Sequence, residues 1–87
     1  LKNTDFENKV VNGLKNKIPL KDIRQIIADS GATQFESLFR CLYDNVEEYT
    51  TSIGDAIIII AQYQYEYGFV VDKEICVAAM LNKLLKL

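Results

Sequence analysis

Four consecutive isoleucines, Ile57 to Ile60, stand in the middle of the most apolar stretch of the chain, Ile53 to Tyr67, which stops at Gly68. On a helix, four successive residues point in four directions, so an element built here has no wet face along its middle turn. The run therefore predicts an enclosed, central element. β-Branched residues also suit a buried strand, and periodicity alone does not separate the two. Length and flanks favour helix: Thr50-Thr51-Ser52 precedes the run, Asp55 follows Ser52 by three residues, and a glycine closes it about four turns later. A membrane span needs about 20 apolar residues. Asp55 and Gln62 bracket this run too closely for that.

The other elements are expected to cover this helix. Eighty-seven residues make one small domain with a single core. With 49% hydrophobic and 25% charged residues the composition is that of a folded globule, and one proline and four glycines are too few for the tight turns of an all-β domain. Thr4-Asp5-Phe6-Glu7 has the form of a capping box and opens a first helix, with Phe6, Val10, Leu14 and Ile18 on one side and Gly13 weakening its middle. Pro19 ends that helix and opens a second, which carries Leu20, Ile23, Ile26 and Ile27 and stops at Gly31.

Thr33-Gln34-Phe35-Glu36 reads as another capping box before the cleanest amphipathic pattern in the chain: Phe35, Leu38, Phe39, Leu42, Tyr43 and Val46 on one face, ending near Tyr49-Thr50. Ser52 and Asp55 give a weaker cap for the fourth, central helix. Asp72 caps the last helix, whose Ile75, Val77, Ala78, Met80, Leu81, Leu84 and Leu85 exceed one stripe and predict two buried faces. The expected architecture is all-α: a five-helix bundle with a buried central fourth helix, one domain over residues 1–87.

Charge is arranged in blocks: net +3 from Leu1 to Arg24, −7 from Gln25 to Asp72 and +2 over the last fifteen residues. The lysines are spread singly with acids between them, which is not the dense basic stripe of a nucleic-acid-binding module. Cys41 and Cys76 have no CxxC spacing, and there is no histidine, so neither a metal site nor a disulfide framework is expected. Reduced, buried thiols imply a cytosolic setting. No phosphate-binding loop, HExxH or nucleophile with a base occurs, and Glu47-Glu48 are adjacent on a helix and do not face each other. The chain by itself is expected not to be an enzyme and to need no cofactor or metal. Beginning at Leu1 rather than methionine, it reads as a piece of a longer protein.

Tyr63, Tyr65 and Tyr67 spread over a broad arc at the end of the fourth helix, where tyrosine can bury its ring and keep its hydroxyl bonded. They suit either the seal of the bundle or a contact with a partner. From Ala61 through the tyrosines, Gly68-Phe69-Val70-Val71 and Asp72-Lys73-Glu74 to Met80-Leu81, the sequence resembles the C-terminal collar domain of sliding-clamp loader subunits. Replication factor C small subunits and the loader ATPase subunit of T-even-like phages end in this way, with a tyrosine-rich helix, a glycine turn and a leucine-rich last helix. Leu14-Lys15-Asn16-Lys17, Asp22-Ile23-Arg24 and the Phe35 to Val46 helix follow in the phage order and spacing, so the resemblance covers nearly the whole chain. Many cellular members carry an arginine before the glycine turn. Glu66 and Tyr67 stand here instead, which favours the phage-type branch and removes any contact made by that arginine.

The resemblance implies an oligomerisation module that packs against other loader subunits and holds the ring together during DNA replication, in a bacterial or phage-infected cytoplasm. ATP, magnesium, the sliding clamp and primer-template DNA would be bound by a preceding AAA+ module, and no membrane is involved. The candidate subunit contacts are Tyr63, Tyr65, Tyr67, Cys76, Met80 and Leu87. Ile57 to Ile60 would be the hub of the domain's own core. The alternative is a standalone helical adaptor that binds a partner helix in a groove.

Overall fold

A computed structural model describes residues 5–87. They form six helices: α1 (Asp5–Lys15), α2 (Leu20–Ser30), α3 (Glu36–Asp44), α4 (Val46–Tyr49), α5 (Ile53–Tyr67) and α6 (Lys73–Leu85). The residues described are all helix, turn or link, with no strand among them. All six helices contribute to one core, drawing Val10 and Leu14 from α1, Ile23 and Ile27 from α2, Leu38, Phe39 and Leu42 from α3, Val46 and Tyr49 from α4, Ala56 and Ile60 from α5, and Val77, Met80, Leu81 and Leu84 from α6.

The first helix ends sooner than its apolar stripe suggests. Thr4 of the expected capping box lies outside the described residues, but Glu7 is placed: it is buried, and its carboxylate accepts from the Ser37 hydroxyl of α3. At the other end Lys17 takes a left-handed conformation, φ 56°. Its N–H donates to the Leu14 carbonyl, and the Ile18 N–H donates to that of Gly13, at 3.2 and 3.1 Å. This pair of bonds is a Schellman stop, which normally recruits glycine at the left-handed position. The closing contact sets Ile18 over Gly13, where an added Cβ would lie 2.8 Å from Ile18 Cδ1. Gly13 is thus a point of close approach, and Ile18 belongs to the link rather than to α1. Lys17→Gly is expected to stabilise the domain by about 0.5–1 kcal/mol, because an L side chain at positive φ is strained. The urea midpoint measures this, and a midpoint that falls would show that the backbone relaxes freely at Lys17.

Pro19 precedes α2 in an extended conformation, and Gly31 closes it in the left-handed conformation expected, φ 71°. The Phe35 to Tyr49 segment, expected as one helix, is two. Asn45 stands at the interruption: its backbone N–H makes the closing bond of α3 to the Cys41 carbonyl at 3.1 Å, and its side-chain amide donates to the same carbonyl at 2.8 Å. Asparagine side chains compete in this way with the helical ladder. The break turns Tyr49 inward, and its hydroxyl donates to the Leu42 carbonyl at 2.8 Å. The second capping box does not form, since Phe35 and not Thr33 stands before the first turn and makes no side-chain cap. Burying the Phe35 ring edge-on to Phe6 fixes that start, with centroids 6.3 Å apart. Nor does Ser52 cap α5 through its side chain; its N–H is taken by the Thr50 hydroxyl instead.

The largest correction concerns the isoleucine run. Its helix has the expected bounds, but it is the fifth element and lies at the perimeter. Ala56, Ile60 and Tyr67 face the core, Ile57 and Ile59 are half-buried, and Ile58 is 66% exposed. Helix α5 touches α3 and α4 on one side and α6 on another. In a domain of this size there is not enough chain left to cover its remaining face. Helix α6 likewise has one buried face, not two: Cys76, Val77, Met80, Leu81 and Leu84 are enclosed, while Ile75 and Ala79 point out. Asp72 does cap it, accepting from the Ile75 N–H at 3.2 Å.

Candidate functional site

The apolar surface left outside the core lies on the outward faces of α5 and α6, on the link between them, and at Tyr43 of α3, which is 44% exposed rather than on the inner face its spacing predicts. On α5, Ile57, Ile58, Ala61 and Tyr65 recur at helical spacing on the side opposite Ala56, Ile60 and Tyr67, with no charged residue within the stripe. Tyr65 and Phe69 extend it past the helix end, 73% and 74% exposed, with their rings 5.2 Å apart. Between this stripe and α3 runs a groove lined by Phe39, Arg40, Tyr43, Ile57, Ala61 and Gln64. Arg40 pairs with Asp44 at 3.1 Å and lies over the Tyr43 ring. Asp44, Glu47, Glu48 and Asp55 are exposed on α3, α4 and the first turn of α5, and the charged residue that lines the groove itself is Arg40.

On α6 the outward stripe is Ile75, Ala79, Lys83 and Lys86. It is a ridge with grooves on both flanks, one of about 600 Å³ against Leu20 and Arg24 of α2, the other against Tyr63, Glu66 and Val70. Ile75 is 67% exposed and Val71 on the adjoining link is fully exposed. Lys83 and Lys86 make its C-terminal end basic.

The six candidate contacts separate along this boundary. Tyr65 is on the open surface, and Tyr63 and Leu87 are half-buried. Tyr63 is held between α5 and α6, with the Lys83 ammonium 5.8 Å from its ring centre and the Cys76 thiol directed at its carbonyl. Tyr67, Cys76 and Met80 are correctly placed in none of these surfaces: all three are enclosed by this chain's own side chains and cannot face a neighbour. Position within the turn decides this, because on α5 and α6 the side chains a step or two away, Tyr65, Ile75 and Ala79, take the outward direction. A count of apolar residues could not separate the two faces of α6. The lysines could, since Ile75, Ala79, Lys83 and Lys86 fall on one line.

Tyr67 instead ties three segments together. Its hydroxyl accepts from the Phe35 N–H at 2.9 Å, and its ring meets Phe39 edge-on with centroids 5.1 Å apart. Lys73 lies over the same ring, 4.9 Å from its centre, and donates to the Tyr67 and Val70 carbonyls at 2.5 and 3.2 Å. Burial pushes the Tyr67 phenol up, partly offset by the Phe35 N–H. Burial also raises both thiols, and the Glu7 carboxylate raises Cys41 further. Both therefore stay protonated at neutral pH, which makes them poor nucleophiles.

Among the described residues no cluster of three or more His, Cys, Asp or Glu is arranged to hold a metal. No described helix is long and apolar enough to cross a membrane. No family model, curated protein or solved structure matches the chain.

Proposed function

We propose that the chain is an assembly module: the collar of a sliding-clamp loader subunit, which packs against neighbouring subunits and holds the loader ring together in the cytoplasm. One observation carries the reading. The bundle closes its own core with all six helices and still presents Ile58, Tyr65, Phe69, Val71 and Ile75 to solvent. Exposed apolar stripes on a small domain mark contact surfaces, and an exposed aromatic pair is the kind of anchor on which interfaces depend. The order of elements from the tyrosine-rich helix to the leucine-rich last helix supports the loader as the particular assembly. On this reading ATP, magnesium, clamp and DNA are handled by a preceding AAA+ module, and this chain contributes no catalytic residue and binds no cofactor.

Two measurements test it. Tyr65→Asp is expected to weaken subunit assembly by about tenfold or more while helix content is unchanged; sedimentation with circular dichroism reads both, and full assembly of the variant overturns the contact. The coding sequence upstream of Leu1 tests the loader itself: a phosphate-binding loop followed by an acidic metal-binding motif is expected, and a start codon next to Leu1 overturns it. The groove between α3 and α5 favours a second reading, an adaptor that seats a partner's helix there.

A further inference from the structure

We propose that Lys73 is an electrostatic latch: its ammonium fixes the α5–α6 link, residues 68–72, and so sets the position in which Phe69 is presented beside Tyr65. The presentation half of this rests on the reading of that aromatic pair as a contact surface. The last carbonyls of a helix have no partner within it, and a left-handed glycine or a basic side chain in the last turn normally supplies one. Helix α5 has neither. Gly68 is right-handed, φ −69°, and the last turn carries no basic residue. The Phe69 and Val70 N–H groups both donate to the Glu66 carbonyl, at 2.9 and 3.2 Å, which leaves the Tyr67 and Val70 carbonyls to be met from elsewhere.

Lys73 meets them. It is the first residue of α6, where a cation opposes the helix dipole, and it reaches back to the C-terminal end of α5, where a cation is favoured. Its ammonium donates to the Tyr67 and Val70 carbonyls at 2.5 and 3.2 Å and lies 4.9 Å from the centre of the Tyr67 ring. One charge thus joins the end of α5, the middle of the link and the start of α6. Phe69 and Val71 on either side of Val70 are exposed, so water has access to the link once the ammonium is gone. The buried residues of both helices lie outside residues 68–72. Removing the charge is therefore a local event, in which the link opens and the bundle stays closed.

Lys73→Met, which keeps an apolar stem over the Tyr67 ring and removes the ammonium, tests the latch. Amide hydrogen exchange followed by NMR is expected to accelerate about tenfold or more at Phe69 and Val70 and far less at core positions such as Leu42 and Leu81. Lys73→Arg keeps the charge and its donors and is expected to leave the link slow. Link amides that keep their rates in Lys73→Met, an equal acceleration at every amide, or an unfolded variant would each overturn the latch. So would a Lys73→Arg chain that exchanges as fast as Lys73→Met, because the stem rather than the charge would then hold the link. The presentation of Phe69 is read by sedimentation: Lys73→Met is expected to weaken assembly about threefold or more, since a loosened link must be ordered again on binding. Full assembly beside a freed link overturns that half of the proposal. A freed link in Lys73→Met beside full assembly of Tyr65→Asp retains the latch and removes the contact surface.

Discussion

Replacing Met80 with aspartate is expected to leave the chain unfolded at neutral pH. Met80 has 0% of its surface exposed and lies on the inner face of α6 with Val77, Leu81 and Leu84. An unpaired carboxylate there costs several kcal/mol, and the side-chain contacts of the methionine are lost as well. A domain of this length is stable by about 4–13 kcal/mol, so the substitution removes most or all of the margin. Loss of the helical circular dichroism signal at low temperature is the readout. A variant that stayed folded but failed to assemble would return Met80 to the surface. Ile58→Asp provides the contrast: it too places an acid on an apolar helix, but at an exposed position, and should leave helicity and melting nearly unchanged.

The second large effect is at Tyr67. Tyr67→Ala is expected to cost about 3–5 kcal/mol, the usual range for truncating a buried aromatic, because it removes the edge contact with Phe39 and the seat of Lys73 together. Tyr67→Phe keeps the ring and removes the acceptor for the Phe35 N–H. That variant should cost about 1–3 kcal/mol, the penalty for stranding a buried donor. Urea unfolding of the three proteins separates packing from hydrogen bonding. A neutral Tyr67→Phe would mean that the Phe35 amide finds another partner without help from the hydroxyl.

These two residues show where sequence reasoning stops. That tyrosine suits a boundary, and that α6 has more apolar residues than one stripe holds, makes Tyr67 and Met80 candidate partner contacts. Both grounds are sound as local statements. A rotation of one or two residues about the helix axis nevertheless decides between core and solvent, and composition carries no information about that angle. The same limit governs Ile58: four isoleucines in a row oblige one to face outward unless neighbours surround the helix, and only the placement of α3, α4 and α6 shows that they do not.

The capping box before α3 fails for a related reason. The Thr33 to Glu36 pattern offers a local hydrogen bond of modest strength, and it gives way where burial of Phe35 and the Tyr67 hydroxyl fix the backbone differently. Nothing in the local pattern marks Asn45 as a break, since an apolar stripe runs straight through it. By contrast, Gly31 and Asp72 act where expected, because nothing in the tertiary structure competes with the left-handed turn or with the N-cap bond.

The sequence by itself determined that the chain is helical, where α5 begins and ends, where α6 begins, and that Phe6, Val10 and Leu14 of α1 and Leu38, Phe39 and Leu42 of α3 face inward. Those features follow from backbone geometry and side-chain period, which act over a few neighbouring residues. Only the tertiary structure decided that the isoleucine helix lies at the edge, that Tyr67, Cys76 and Met80 turn inward, and that Tyr65, Phe69, Ile75 and Ala79 face outward. The physical reason is that burial is a property of what surrounds a side chain, and a small domain encloses one face of each helix and leaves the other to water or to a neighbour.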